Sequence, residues 1–186
     1  MTKQEFAVFT SALKTYYPKE TLLPNKQAME LWHKQLEDIP YNLAEIALNN
    51  WVVSNKWSPT IAELREEVAK IALGEIKDWS EAWEIVHDAV RYLGSYHVGE
   101  ALGTFDDLTK KVVGQMGGFI SICQSENPSY ERTTFKKIYE EEATKLKEQA
   151  KTPKKLKELM GWSDDKYELI REKELLEDGR GRDDEE

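Results

Sequence analysis

The sequence predicts an all-α fold, with a compact N-terminal helical bundle, a second helical region, and a charged C-terminal helix and tail. Three observations carry that prediction. Apolar residues recur at three- and four-residue intervals along most of the chain. No stretch alternates convincingly with the two-residue period of a strand. Prolines, glycines and Thr-x-x-Glu patterns punctuate the apolar stripes where helices should start and stop.

The first helix is expected to begin at Thr2, with Glu5 three positions on to complete a capping box. Phe6, Phe9, Leu13 and Tyr17 follow at helical spacing, and Pro18 ends the run. Asn25 is a cap for a second helix with Met29, Trp32 and Leu36 on one face. Pro40 stands at the start of a third, where a missing N–H costs no helical hydrogen bond. Leu43, Ala47, Leu48 and Trp51 line that helix. Thr60 with Glu63 repeats the capping box, Ile61, Leu64, Val68 and Ile71 form the stripe behind it, and Gly74 lies near its end. Four short helices of this kind can close around one core.

A second region starts near Asp78 with Trp79, Trp83, Val86, Val90 and Leu93, and should stop at Gly94. Shorter pieces are expected around 98–102 and 105–116. Gly117-Gly118 then breaks the chain before a short buried helix containing Phe119, Ile120, Ile122 and Cys123. Pro128 opens a longer helix through Tyr139 and Leu146. After about Lys145 the composition turns charge-dense, and from Asp178 a disordered tail is expected. The resulting division is 1–76, 77–150 and 151–186.

Composition restricts function. Of 186 residues, 40% are hydrophobic, enough for a packed core, and the net charge is −9. A chain this acidic lacks the broad basic field that non-specific nucleic-acid binding requires, although a local basic patch is compatible with it. One cysteine cannot form an internal disulfide, no run approaches a membrane-spanning length, and the first residues lack an apolar signal core. A cytoplasmic setting is the expectation.

The residue constellations of common enzymes are missing. Gly114, Gly117 and Gly118 run on into apolar residues with no following lysine, so they do not make a phosphate-cradling loop. Cys123 and the scattered His33, His87 and His97 do not supply a zinc ligand set. Cys123 sits among Phe119, Ile120 and Ile122, a setting that suits an inert thiol. Carboxylate runs such as Glu140-Glu141-Glu142 read as solvated helix faces. Trp79 and Trp83, flanked by acidic residues, read as helix-packing aromatics rather than a base-stacking platform. A non-enzymatic protein without cofactor or metal is expected.

Within the first 70 or so residues one ordered pattern is specific. Tyr16-Tyr17-Pro18 closes the first helix, Trp32 and Leu36 precede Asp38-Ile39-Pro40-Tyr41, and Ala44 and Ala47-Leu48 follow. The pattern ends in Lys56-Trp57-Ser58-Pro59-Thr60-Ile61-Ala62-Glu63-Leu64-Arg65. It resembles the phage replicative-helicase loader/inhibitor family. The resemblance implies a small all-helical protein without ATPase activity. Such a protein binds a hexameric, nucleotide-bound replicative helicase, holds it off DNA and releases it at an origin-bound initiator. No membrane partner is expected, since no apolar run reaches spanning length, and DNA contact is left open. Short members of the family carry a flexible C-terminal segment implicated in helicase contact. Here residues 77–186 stand in its place, so that contact does not transfer residue by residue.

Candidate partner-binding residues fall in two places. The turn containing Lys56 and Trp57, with Arg65 beyond it, combines an aromatic anchor with basic residues. The competing reading makes Trp57 a hydrophobic staple packed beside the cap at Thr60. Leu169, Ile170, Leu175 and Leu176 give the last helix an apolar side that either docks into a partner groove or packs back on the protein's own body. Lys151, Lys154, Lys155 and Lys157 form the basic cluster that a DNA-binding replication or packaging adaptor would use. A virion assembly protein is a further alternative.

Overall fold

The computed structural model describes residues 1–162. Leu169, Ile170, Leu175, Leu176 and the tail expected from Asp178 lie outside the described residues. Ten α-helices and a short 3-10 turn make up the described chain, which contains no strand. The fold is all-α. Two compact units form: one from Met1–Gly74 together with the described residues from Glu148 onward, the other from Glu75–Lys147.

In the first unit, α1 (Lys3–Tyr16), α2 (Lys26–Leu36), α3 (Tyr41–Ser54) and α4 (Ile61–Leu73) start where local chemistry places them. Thr2 and Glu5 complete one capping box and Thr60 and Glu63 another, each with both reciprocal hydrogen bonds formed. The Asn25 side chain accepts the Ala28 N–H at the head of α2. Gly74 ends α4 at a φ of 64°, where a side chain would be strained. Helix α3 packs against α1 and α4, and α2 against α4. Phe6, Phe9, Leu13, Leu36, Ile39, Ala47, Leu48, Leu64 and Val68 interlock between them as the core.

The second unit is built from α5 (Trp79–Tyr92), the 3-10 turn Gly94–Tyr96, α6 (Val98–Thr104), α7 (Asp107–Gln115), α8 (Phe119–Cys123) and most of α9 (Pro128–Lys151). Trp83 is buried against Phe135 at 5.2 Å, and Tyr139 stacks on Phe135. Trp79 is half-buried instead, with Arg132 and Lys136 over its ring at 5.4 and 4.8 Å. The Tyr139 hydroxyl donates to the Lys77 carbonyl at 3.1 Å, and burial first, then Asp106 and Asp78, push its pKa up to about 12. Helix α8 departs from expectation. It has only five residues, so one face suffices for Phe119 and Ile122, and Ile120 is left exposed. Cys123 is half-buried, and burial raises its thiol pKa.

One charged group is built into this unit. Glu142 of α9 is buried and accepts from Lys111 at 2.7 Å and Lys145 at 2.9 Å. The Lys111 and then the Lys145 hydrogen bond, against the opposing effect of burial, hold its pKa at about 2 rather than 4.5. A depressed carboxyl pKa contributes stability that is complete above the ordinary value and is lost as pH falls toward the folded value. Glu142→Gln is therefore expected to cost the second unit about 1–2 kcal/mol at neutral pH. The gap from the parent protein should narrow below about pH 5 and close only as pH falls through about 2. Urea midpoints across that range measure this, and a gap independent of pH would contradict it.

Candidate docking surface on the first unit

The loop between α3 and α4 is held rigid from both sides. At the end of α3, the Asn55 backbone N–H donates to the Trp51 carbonyl at 2.9 Å and its side-chain amide to the same oxygen at 3.1 Å. The Tyr17 hydroxyl donates to the Asn55 carbonyl at 3.3 Å. Ser58 donates its backbone N–H and its hydroxyl to the two oxygens of Glu20, at 3.0 and 2.5 Å. The Trp51 indole N–H donates to the Trp57 carbonyl at 2.9 Å. Trp57 is thus fixed by its backbone while its side chain stands 75% exposed. The hydrophobic-staple reading fails: buried Pro59, immediately before the Thr60 cap, occupies the inner position, and Leu64 is the buried residue one turn into α4.

A separate, outward face of α3 also carries exposed apolar side chains. Ile46 and Val53, seven residues apart on α3, share an outward face with Asn49 and are exposed. The exposed Tyr16 of α1 reaches that face, its hydroxyl donating to Asn49 Oδ1 at 3.3 Å. Lys56, also exposed, adds a positive charge beside Trp57. Val53 escaped the sequence reading because Trp51, Val52 and Val53 form an unbroken apolar run that does not say which member faces out.

Arg65 does not belong to this surface. It is 5% exposed and paired with Asp38, its two terminal nitrogens on the two carboxylate oxygens at 2.9 and 2.7 Å. It also donates to the Gln35 carbonyl at 2.7 Å and to the Lys151 carbonyl at 2.5 Å. Every nitrogen of the guanidinium fork is committed within the unit, which corrects its expected role as a partner-binding residue. Burial pushes the Asp38 carboxyl up, but the hydrogen bonds and charge of Arg65, with the Lys154 N–H, outweigh it and hold it below the usual carboxylate range.

The basic cluster is also dispersed. Lys157 is 4% exposed, inside rather than on a phosphate-facing surface. Lys151 pairs with Glu66 at 3.6 Å, and Lys154 is half-buried with its backbone N–H on Asp38. Lys155 is the exposed member of the four. Such an arrangement does not present the continuous positive field that DNA contact by these four lysines requires. Among the described residues no group of His, Cys, Asp and Glu could hold a metal ion, and no helix is long and apolar enough to cross a membrane.

The first unit is thus a capped four-helix core whose α3–α4 loop is pinned by hydrogen bonds and presents an exposed tryptophan. Residues 1–65 match the family of the phage gene 39 protein, the N-terminal domain of a helicase loader/inhibitor. The match coincides with the stretch that carries the sequence resemblance and ends at Arg65. Proteins of this family act in general without catalysis. No curated protein and no solved structure matches the chain.

Proposed function

We propose that this protein is a non-enzymatic phage DNA-replication factor that binds a hexameric replicative helicase and controls its loading or activity in the host cytoplasm. The match of residues 1–65 to the N-terminal domain of the gene 39 helicase loader/inhibitor family carries this reading. The α3–α4 loop supports it, since an exposed tryptophan whose backbone is pinned by hydrogen bonds, beside the exposed Lys56, has the composition of an interface anchor. Pre-organisation matters here: a side chain whose backbone is already fixed loses less entropy when it enters a partner's pocket. In this reading the first unit grips the helicase in its nucleotide-bound form, and an origin-bound initiator triggers release.

The test is co-elution of the full chain with the phage or host replicative helicase, with and without an ATP analogue, in size-exclusion chromatography with light scattering. A complex that depends on nucleotide is expected, with a mass that counts the copies per hexamer. Absence of any complex in either condition, with both proteins folded, would overturn the proposal.

A further inference from the structure

Helix α9 stops at Lys151 and α10 (Lys154–Leu159) begins three residues later, with Pro153 between them. A break of this kind leaves carbonyls without partners at the end of one helix and N–H groups without partners at the start of the next. The Asp38–Arg65 pair meets both. Arg65 Nε donates to the carbonyl of Lys151, the last residue of α9, and Asp38 Oδ2 accepts the N–H of Lys154, the first of α10, at 2.9 Å. A second Arg65 bond goes to Gln35, in the last turn of α2. The cation lies at two helix C-termini and the anion at a helix N-terminus, the polarity that helix dipoles favour.

Apolar burial contributes little to this attachment. Leu159 is 79% exposed, Leu156 and Met160 are also exposed, and the residue of α10 that turns inward is Lys157. Among the described residues, the main apolar cluster of the first unit contains none from beyond Gly74, although Ala150 at the end of α9 is buried and Trp162 half-buried. A six-residue helix does not persist in water by itself. Its far end is closed by local bonds, the Gly161 N–H donating to Glu158 and the Trp162 N–H to Lys157, with Gly161 at a φ of 69°.

We infer that α10 is an arm latched to the first unit by the buried Asp38–Arg65 pair, and that it can be released without unfolding the core formed by α1–α4. The latch holds Leu156, Leu159 and Met160 outward. The inference is independent of any helicase partner.

Hydrogen exchange on the full chain tests it. The double variant Asp38→Leu with Arg65→Met replaces the ion pair by apolar side chains, a change buried pairs commonly tolerate. The amides of α10 should then exchange about tenfold faster or more, with those of α1 and α3 within about twofold of the parent protein. Arg65→Lys keeps the charge but cannot span Gln35, Asp38 and Lys151 together, so it should give a smaller increase in the same place. It serves as the test if the double variant does not fold. Unchanged protection in α10, or a parallel rise in α1 and α3, would overturn the latch.

Discussion

Replacing Arg65 alone by methionine is expected to destabilise the first unit by about 3–5 kcal/mol. The loss comes from what remains behind. Asp38 keeps its charge in a largely buried position, and the carbonyls of Gln35 and Lys151 lose the donor that reaches them. A drop of at least about 10 °C in the unfolding midpoint of that unit should follow. The double replacement of Asp38 and Arg65 should be milder than this single one, because it removes the stranded carboxylate as well. Thermal denaturation of the two variants decides the matter. A loss below about 1 kcal/mol for Arg65→Met would mean that the pair is solvated like an ordinary surface ion pair.

Trp57→Ala is expected to have the opposite character, with a large effect on binding and almost none on folding. A central aromatic anchor removed from an interface costs about 2–4 kcal/mol, a weakening of about 30-fold or more. The Trp57 side chain is exposed, and the hydrogen bond from Trp51 is to its backbone carbonyl, which alanine retains. Stability should therefore change by less than about 0.5 kcal/mol. Titration of the helicase hexamer with both proteins measures the first quantity and urea denaturation the second. Tyr96→Ala, at an exposed aromatic of the second unit, is the control and should leave affinity unchanged. Equal affinity of Trp57→Ala and the parent protein would remove this loop from the interface.

Both expectations concern residues whose role could not be read locally. Helix starts could be. Thr2 with Glu5, Thr60 with Glu63, and Asn25 with Ala28 each make their bond within three residues, so side-chain chemistry and spacing are sufficient to place them. The same holds for the stripe Phe6, Phe9 and Leu13, whose spacing places all three on one helix face. The ordered pattern ending at Arg65 was enough to indicate the family that residues 1–65 match.

Arg65, Lys157 and Trp57 show where local reading stops. Arg65 sits among polar neighbours that suggest a solvent-facing rim, yet its partners lie 27, 30 and 86 residues away. Lys157 belongs to a basic cluster by composition and is buried by position. Trp57 looks like a core residue by type, but Pro59 is the buried residue before the cap, and Trp57 is held by its backbone carbonyl on the Trp51 indole with its side chain exposed. By itself the sequence determined the helices, their caps and the all-α class, because those depend on hydrogen bonds and apolar periodicity within a few residues. Only the tertiary structure decided which charges are buried and which aromatic is presented, because burial depends on what distant segments bring to the same place.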